Sequence, residues 1–465
     1  MIFSSFTFLC YFLPAVLLGY YILPNSHWHN LFLLIASFIF YGWNDYGYLI
    51  YLFAVIFLTY LFALLIANKS TKQKKLFLGI GIFFILSGLF YFKYAGFTLS
   101  GLATLFHLNW NIPAVIMPIG ISFYTFQAIS YLIDVYRGET VQKNVFKLAL
   151  YISLFPQLVA GPIVRYAPIK DQLSNRSHSL ESIYLGFRRF LIGLGKKIII
   201  ADTLGLSVDR IFNTPIETLS PGIAWAGILF YTLQIYFDFS GYSDMAIGLG
   251  KMFGFTFPEN FNYPYISKSI SEFWRRWHMS LSSWFKEYVY IPLGGNRNGI
   301  IRTCFNLMFV FLLTGIWHGA NWTFILWGIW FGIFIVLEKI VAFHFSAKTH
   351  YFYSIFSWLY TMLIIVFGWI LFRSNSLSVA LNYFKALFGQ ITFQQELGIS
   401  YYIRPGGWIL AGCAFLIALG VNRYFLFTSK PFIRFINDIA LCFILLFCVI
   451  LLTSNSYSPF IYFNF

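Results

Sequence analysis

The chain has 465 residues, of which 59% are hydrophobic and only 10% are charged. Soluble domains carry about a quarter charged residues, so this composition excludes a soluble fold, whose surface these few charges could not cover. The formal net charge of +15 does not indicate nucleic-acid binding, because the basic residues lie in short clusters between long apolar runs.

Apolar runs follow one another along nearly the whole chain. A helix needs about 20 apolar residues to cross the hydrocarbon layer, and residues 303–337 contain no Asp, Glu, Lys or Arg. We predict spans near residues 6–22, 31–43, 47–67, 76–95, 114–133, 145–161, 187–201, 222–240, 303–319, 321–341, 354–372, 407–422 and 436–453. The fold class is therefore an all-α polytopic membrane protein with about ten to thirteen transmembrane helices. With neither a repeat nor a soluble domain visible, residues 1–465 are expected to form one membrane domain.

Basic clusters predict the orientation of these spans. Four lysines lie within residues 69–75, and a second basic cluster lies within residues 137–147. The positive-inside rule places both in the cytoplasm. Counting back three spans puts the N-terminus outside, with residues 6–22 as a retained first span rather than a signal peptide.

Residues 145–161 are expected to deviate from a simple span. Pro156, Gly161 and Pro162 interrupt the apolar run. Irregular backbone at membrane depth is tolerated only inside protein, so this segment is expected to be re-entrant or broken rather than a straight crossing.

The segment of residues 268–290 has the pattern of one amphipathic helix. Its large apolar residues recur at helical spacing on one face: Ile270, Phe273, Trp274, Trp277, Leu281, Trp284, Phe285 and Tyr288. A helix rich in Trp and Arg is expected to lie along the membrane interface. Ser267 or Ser269 could cap its start, and Pro292 with the following glycines ends it. His278 falls at the edge of the apolar stripe and could reach the protein interior.

His318 is the most informative single residue, because it stands inside the uncharged stretch of residues 303–337. An ionisable side chain within a membrane span is by default a functional hypothesis. Gly315, Gly319 and Ala320 leave room for a neighbouring chain or a substrate. The alternative is a structural histidine bonded to a helix carbonyl. Asp238 and Asp244 are favoured as structural residues, through helix capping or an ion pair with an arginine such as Arg165.

Several chemistries are absent from the sequence. Asp238 occupies the first glycine position of a GxSxG pattern around Ser240, and no Walker loop or HExxH motif occurs. The 5 cysteines have no CxxC spacing, so neither a metal site nor a disulfide framework is expected. The chemistry that these absences leave is general-base catalysis, in which a residue inside the membrane takes a proton from a hydroxyl group.

Several motifs make the sequence recognisable: residues 155–163 (FPQLVAGPI), 236–248 (YFDFSGYSDMAIG), 259–265 (ENFNYPY), 271–278 (SEFWRRWH), 290–297 (YIPLGGNR), 314–322 (TGIWHGANW) and 459–465 (PFIYFNF). Together they closely resemble the membrane-bound O-acyltransferase family, in the branch that O-acetylates alginate and peptidoglycan. One departure is Asn464, where relatives commonly have Gln.

The resemblance implies His318 as the catalytic residue and His278 as the second site histidine, in a ring of helices around a thin centre with a tunnel. We expect Trp274, Trp277, Asn321 and Trp322 to line that tunnel, and Arg275 and Arg276 to face an anionic donor. The implied location is a bacterial inner membrane. The implied partners are membrane lipid and an extracytoplasmic transferase that modifies the polysaccharide.

The predicted function is transfer of an acetyl group from a cytoplasmic thioester toward an extracytoplasmic polysaccharide. Acetyl-CoA is the expected donor, and no bound cofactor is expected. One alternative is D-alanyl transfer to teichoic acid from a carrier protein. Another is a polytopic transporter or flippase, which would favour inverted repeats that we do not find.

The aromatic C-terminal heptapeptide leaves two hypotheses open. It could be an interfacial anchor, a common role of Tyr and Phe. Alternatively, Tyr462 is a relay whose hydroxyl accepts the acyl group before an outside partner receives it.

Overall fold

The computed structural model describes residues 1–43, 45–112, 115–344, 351–390, 398–421, 430–454 and 461. All regular secondary structure in these ranges is helical. The chain divides into two compact units, of which the first comprises Met1–Phe190 with Tyr242–Pro258 and the second comprises Leu191–Gly241 with Glu259–Phe465. The expectation of a single membrane domain stays a prediction.

The first unit contains the N-terminal helices. In chain order they are Phe8–Phe12, Leu13–Ile22, Ser26–Gly42, Gly47–Ala67, Thr71–Leu89, Phe90–Tyr94, Ala95–Leu105, Ile121–Tyr136, Val145–Ser153, Phe155–Leu158, Tyr166–Ile169 and the first part of Leu180–Gly195.

The second unit contains the helices around the predicted site. They are Lys196–Asp202, Thr203–Phe212, Ile216–Thr218, the larger part of Pro221–Met252, Pro264–Ile266, Ile270–Arg276, Met279–Phe285, Lys286–Tyr290, Gly299–His318, Trp322–His344, Tyr351–Arg373, Leu377–Leu387, Ile399–Tyr402, Pro405–Ala418 and Pro431–Ser454.

The prediction of a polytopic all-α membrane protein is confirmed. Within the described ranges, 6 helices are long and apolar enough to cross a bilayer, and two shorter apolar helices accompany them. The Gly47–Ala67 helix shows the cause, since none of its 21 residues is charged and the lysine cluster of residues 69–75 follows directly. The total of ten to thirteen crossings stays a prediction.

The segment around Pro156 breaks its helix, as its prolines and glycine predict. The Val145–Ser153 helix ends before the short turn Phe155–Leu158, and residues 159–165 are irregular and almost entirely buried. Side chains satisfy part of this buried backbone: Gln157 donates to the Tyr151 carbonyl at 2.6 Å, and the Tyr151 hydroxyl donates to the Val164 carbonyl at 3.0 Å.

Two helices of the second unit pack closely enough to require glycine. Gly315 of the Gly299–His318 helix faces Gly328 of the Trp322–His344 helix, and a Cβ on Gly315 would lie 3.1 Å from the Gly328 Cα. Small residues let helix backbones approach in this way. Gly315 therefore makes room for a neighbouring helix, which holds the C-terminal turn with His318 in place.

Candidate active site

The prediction of one continuous helix over residues 268–290 is wrong. The structure has a helix at Ile270–Arg276, a break at Trp277 and His278, and a second helix at Met279–Phe285. Ser269 caps the first helix by accepting from the Glu272 backbone N–H, as expected. The carboxylate of Glu338 also accepts from the first two backbone N–H groups of this helix.

Tertiary contacts cause the break at His278. His278 adopts φ 42° and ψ 54°, a left-handed conformation that is costly for a residue with a side chain. The backbone groups that the interrupted helix leaves open bond to another segment: Met279 N–H donates to the Asn260 carbonyl at 3.0 Å, and Asn262 N–H donates to the Arg276 carbonyl at 2.9 Å. Local periodicity carries no information about these partners.

The apolar stripe of this segment is buried in protein. Its members, from Ile270 and Phe273 to Phe285 and Tyr288, are all buried. Trp274 packs edge-to-face on Trp327 and Phe331. The stripe was predicted correctly, and it packs against other helices; the position of the segment along the membrane interface stays a prediction.

Asn260 orients the His278 ring. Its Oδ1 accepts from the Ser280 backbone N–H at 3.3 Å and from the Ser280 hydroxyl at 2.8 Å, which identifies this atom as the oxygen. The same Oδ1 lies 3.0 Å from His278 Nδ1. An amide oxygen only accepts, so Nδ1 carries the proton and Nε2 carries the lone pair of the neutral ring. His278 itself is 0% exposed.

His318 is held in the same tautomer by its own helix. It is the last residue of Gly299–His318, is 2% exposed, and its Nδ1 lies 2.7 Å from the Thr314 carbonyl oxygen. A carbonyl cannot donate, so Nδ1 donates and Nε2 is the basic nitrogen. The rings of Trp317, Trp327 and Phe372 surround it at 4.9, 4.7 and 5.5 Å between centroids.

The two histidines, forty positions apart in sequence, meet at one indole. The Trp317 ring centroid lies 4.9 Å from that of His318 and 6.2 Å from that of His278. Burial lowers the pKa of His278 well below its usual range, and the nearby His318 lowers that pKa further. His278 is therefore neutral at physiological pH.

An apolar cavity of about 510 Å³ is lined by Met279, which follows His278, and by Thr314, but by neither histidine. Its wall includes Trp274 and Thr314, the residue whose carbonyl orients His318. Three basic side chains, Arg275, Lys286 and Lys339, also line it. The volume lies within the range of small-molecule sites, and apolar walls with a few convergent charges are typical of them.

A family model for membrane-bound O-acyltransferases matches residues 142–379, which include both histidines, the cavity and the motifs that surround them. The chain belongs to the membrane-bound O-acyltransferase family. It is accordingly an O-acyltransferase and a multi-pass membrane protein.

Named relatives of this acyltransferase extend the similarity beyond the family model. The "Probable alginate O-acetylase AlgI" of Pseudomonas putida is 45% identical over 83% of this chain and 80% of its own length. The "Peptidoglycan O-acetyltransferase" of Helicobacter pylori is 38% identical over 84% of this chain and 80% of its own length. The "Teichoic acid D-alanyltransferase" of Bacillus subtilis is 30% identical, but over only 46% of this chain and 57% of its own length.

The structure separates the two arginines that were predicted to face the donor. Arg275 is exposed and lines the cavity. Arg276 forms an ion pair with Glu272 at 2.9 Å and donates to the Asn262 carbonyl. The role of both arginines toward an anionic donor stays a prediction.

The other predicted tunnel residues occupy different environments. Trp277 is buried among aromatic rings, with Trp369 at 5.0 Å and Phe261 at 5.1 Å. Asn321 accepts from the Thr323 backbone N–H and donates to the Asn375 carbonyl, so it shapes the start of the Trp322–His344 helix. Trp322 is 58% exposed. Their tunnel role stays a prediction, as does that of Tyr462, which lies outside the described residues.

Both aspartates of the 236–248 motif form ion pairs, as the structural hypothesis predicts. Asp244 pairs with Arg189 at 2.6 Å in the first unit. Asp238 pairs with Lys197 at 2.7 Å in the second unit. Each buried carboxylate thus has a cation opposite it.

Sequence reasoning missed Asn260 and Lys339. Asn260 stands within the recognised 259–265 motif, but no role follows from its position in an irregular segment. Lys339 lies a few residues beyond the uncharged stretch of residues 303–337, where it resembles an ordinary end-of-span charge. Only the packing of the Ile270–Arg276 helix against the Trp322–His344 helix places Lys339 beside Arg275 in the cavity wall.

We expect the buried neutral state of His278 to make the folded protein sensitive to mild acid. The folded pKa is depressed while the unfolded pKa is about 6.5. As the pH falls below that value, His278 binds a proton in the unfolded state but stays neutral in the folded state. The free energy of unfolding should therefore fall by about 1.4 kcal/mol between pH 7.5 and pH 5.5.

The measurement is the melting temperature of the detergent-solubilised protein across this pH window. His278→Asn is the matched variant, because Asn tolerates the left-handed backbone and does not titrate. The gap in melting temperature between the two proteins should narrow toward pH 5.5. Parallel curves would show that His278 is not a buried neutral group.

Proposed function

We propose that this acyltransferase moves an acetyl group from a cytoplasmic thioester, with acetyl-CoA as donor, toward an extracytoplasmic polysaccharide. The names of the relatives that match along most of the chain support acetyl as the group and alginate or peptidoglycan as the polymer class. The observation that carries the proposal is His318, a buried base with a defined tautomer beside a cavity with basic residues in its wall.

The base chemistry follows from the tautomer. With its proton held on Nδ1 by the Thr314 carbonyl, His318 carries its basic lone pair on Nε2, and this nitrogen would accept the proton of an attacking hydroxyl. The hydroxyl oxygen then attacks the thioester carbonyl, forming the C–O bond. The C–S bond breaks, and the proton passes from Nε2 to the departing thiolate, so the base is regenerated.

The cavity suits the donor in both shape and charge. Its apolar wall beside Trp274 and Thr314 favours a narrow acyl-thioester arm. Arg275, Lys286 and Lys339 supply the positive charge that a phosphorylated donor needs. Clustered basic residues also favour the cytoplasmic side by the positive-inside rule.

We further propose that a separate extracytoplasmic transferase completes the reaction on the polymer. A polysaccharide outside the membrane needs a soluble binding surface, and both compact units of the described chain consist of helices that are largely apolar. The second partner is membrane lipid, because a chain with 59% hydrophobic residues needs an apolar surrounding.

D-alanyl transfer from a carrier protein is the second candidate. It is supported by the match to a teichoic acid D-alanyltransferase, but that match covers less than half of this chain. The histidine chemistry would be the same, and the donor would differ. A transporter is not supported, because the chain belongs to an enzyme family and its two buried aspartates form ion pairs.

A cysteine placed in the cavity wall tests both the donor and its side of the membrane. Ser283 lines the cavity and is half-buried. In a protein whose native cysteines are replaced by serine, Ser283→Cys should react with a membrane-impermeant maleimide only from the cytoplasmic side. Acetyl-CoA should slow this reaction several-fold, since the bound arm covers the thiol.

Ser70→Cys is the control, an exposed position beside the lysine cluster of residues 69–75 that does not line the cavity. It should react from the same side at a rate that acetyl-CoA does not change. Labelling of Ser283→Cys from outside intact cells would contradict the orientation. Protection by an acylated carrier protein but not by acetyl-CoA would select the D-alanyl alternative.

A further inference from the structure

A buried charge cluster in the second unit receives the C-terminal segment of the chain. Lys197 donates to Asp202 at 2.6 Å and to Asp238 at 2.7 Å. The second oxygen of Asp238 accepts the backbone N–H of Ile461 at 3.0 Å. Asp238 thus binds Lys197 with Oδ1 and the tail with Oδ2.

Burying the charges of this cluster costs free energy that further hydrogen bonds must offset. The side chains of Lys197 and Asp238 are 1% and 3% exposed. Charges removed from water this completely lose solvation that a single ion pair does not fully replace, so they persist where further hydrogen bonds satisfy them. The Ile461 amide provides such a bond for Asp238, and it is charge-assisted.

The sequence neighbour of Asp238 contacts one of the two site histidines. Asp238 directly precedes Phe239, whose ring packs edge-to-face on His278 with 4.7 Å between centroids. Tyr462 directly follows Ile461 in sequence. A restraint on the Ile461 amide therefore limits where the Tyr462 residue can go.

We propose that Asp238 and Lys197 are positioning residues that anchor the C-terminal segment through the Ile461 amide. Lys197 pairs with one oxygen of Asp238, which leaves the other oxygen to hold the tail. In function, this anchor rests on the hypothesis of a Tyr462 relay, because it restrains the residue that directly precedes the tyrosine. The anchor as a structural contact does not depend on that relay.

Hydrogen–deuterium exchange tests the contact itself. We expect the Ile461 amide to be protected in the full-length protein and to exchange roughly tenfold faster or more in Asp238→Ala, since hydrogen bonds to charged groups are the stronger ones. Asp244→Ala is the matched control: it removes another buried carboxylate from the same Pro221–Met252 helix, one whose ion pair is with Arg189. Its tail should exchange at the wild-type rate.

A second pair of variants tests the function of the contact without touching the buried charges. Ile461→Pro removes the N–H donor, whereas Ile461→Ala keeps it and loses only the side chain. Polymer acetylation by the proline variant should be at least about tenfold lower than that by the alanine variant, as expected for loss of a charge-assisted hydrogen bond. These variants keep the test decisive even if Asp238→Ala does not accumulate in the membrane.

The outcomes separate the anchor from the relay. Wild-type exchange in Asp238→Ala would overturn the anchor as a contact, and equal acetylation by the two Ile461 variants would overturn its role in transfer. Faster exchange in Asp238→Ala together with an active Tyr462→Phe protein would leave the anchor standing as a contact and remove the relay. Equal acceleration in Asp244→Ala would mean that general loosening, rather than the Asp238 contact, sets the exchange rate.

Discussion

The His318→Ala protein should accumulate in the membrane and lose polymer acetylation by roughly 10²–10⁴-fold, the effect expected when a general base is removed. His318 lies at the end of its helix, and its Nδ1 donates to the Thr314 carbonyl one turn earlier in the same helix. Truncating the ring should therefore affect catalysis far more than insertion or folding.

The measurement is acetyl content of the polymer, normalised to the amount of protein in the membrane. His27→Ala is a suitable control, since it removes another histidine ring, one that lies at the start of the Ser26–Gly42 helix and outside the site. It should retain activity. A loss of only a few-fold in His318→Ala would remove His318 as the base.

Tyr462→Phe should abolish transfer to the polymer if the tail tyrosine is a relay. The substitution keeps the ring and removes only the hydroxyl. A phenyl ester is a more reactive acyl donor than an alkyl ester, and a covalent relay divides one difficult transfer into two easier ones. In the first step His318 takes the phenol proton and the oxygen attacks the thioester carbonyl, with loss of the thiol. In the second step the polymer hydroxyl displaces the phenol.

Tyr457→Phe is the matched control, since it makes the same change in the same C-terminal segment. Acetylation should be normal there and absent in Tyr462→Phe. Mass spectrometry of the wild-type protein should also find an acetyl group on Tyr462 when the polymer acceptor is withheld. Full activity of Tyr462→Phe would leave only the role of an interfacial aromatic anchor for the heptapeptide.

The apolar spans were predictable because hydropathy is a local property. The predicted span of residues 47–67 coincides with the Gly47–Ala67 helix, and that of residues 321–341 differs by a single residue at its start from the Trp322–His344 helix. Both helices start just after a polar residue, Asp45 or Asn321, so partition between lipid and water fixes these starts without reference to the rest of the chain.

His318 could be singled out for a similar reason. An ionisable side chain in an otherwise uncharged membrane span needs a polar partner or a function to offset its free-energy cost in lipid. This cost follows from the sequence alone. The recognised motifs then assigned the family, which the family model confirms. Neither observation required knowledge of what surrounds the ring.

The geometry of the site was decided by tertiary structure. A periodic apolar stripe predicts a continuous helix through His278, but Asn260 holds the Trp277–His278 break open from a position eighteen residues earlier. The partners of Asp238 and Asp244 also could not be chosen from sequence, because several lysines and arginines were equally plausible. Composition and periodicity determined that this chain is a membrane-embedded helical protein with a buried histidine. Only packing decided which side chains meet that histidine, because hydrogen bonds between distant segments outweigh the local helical preference.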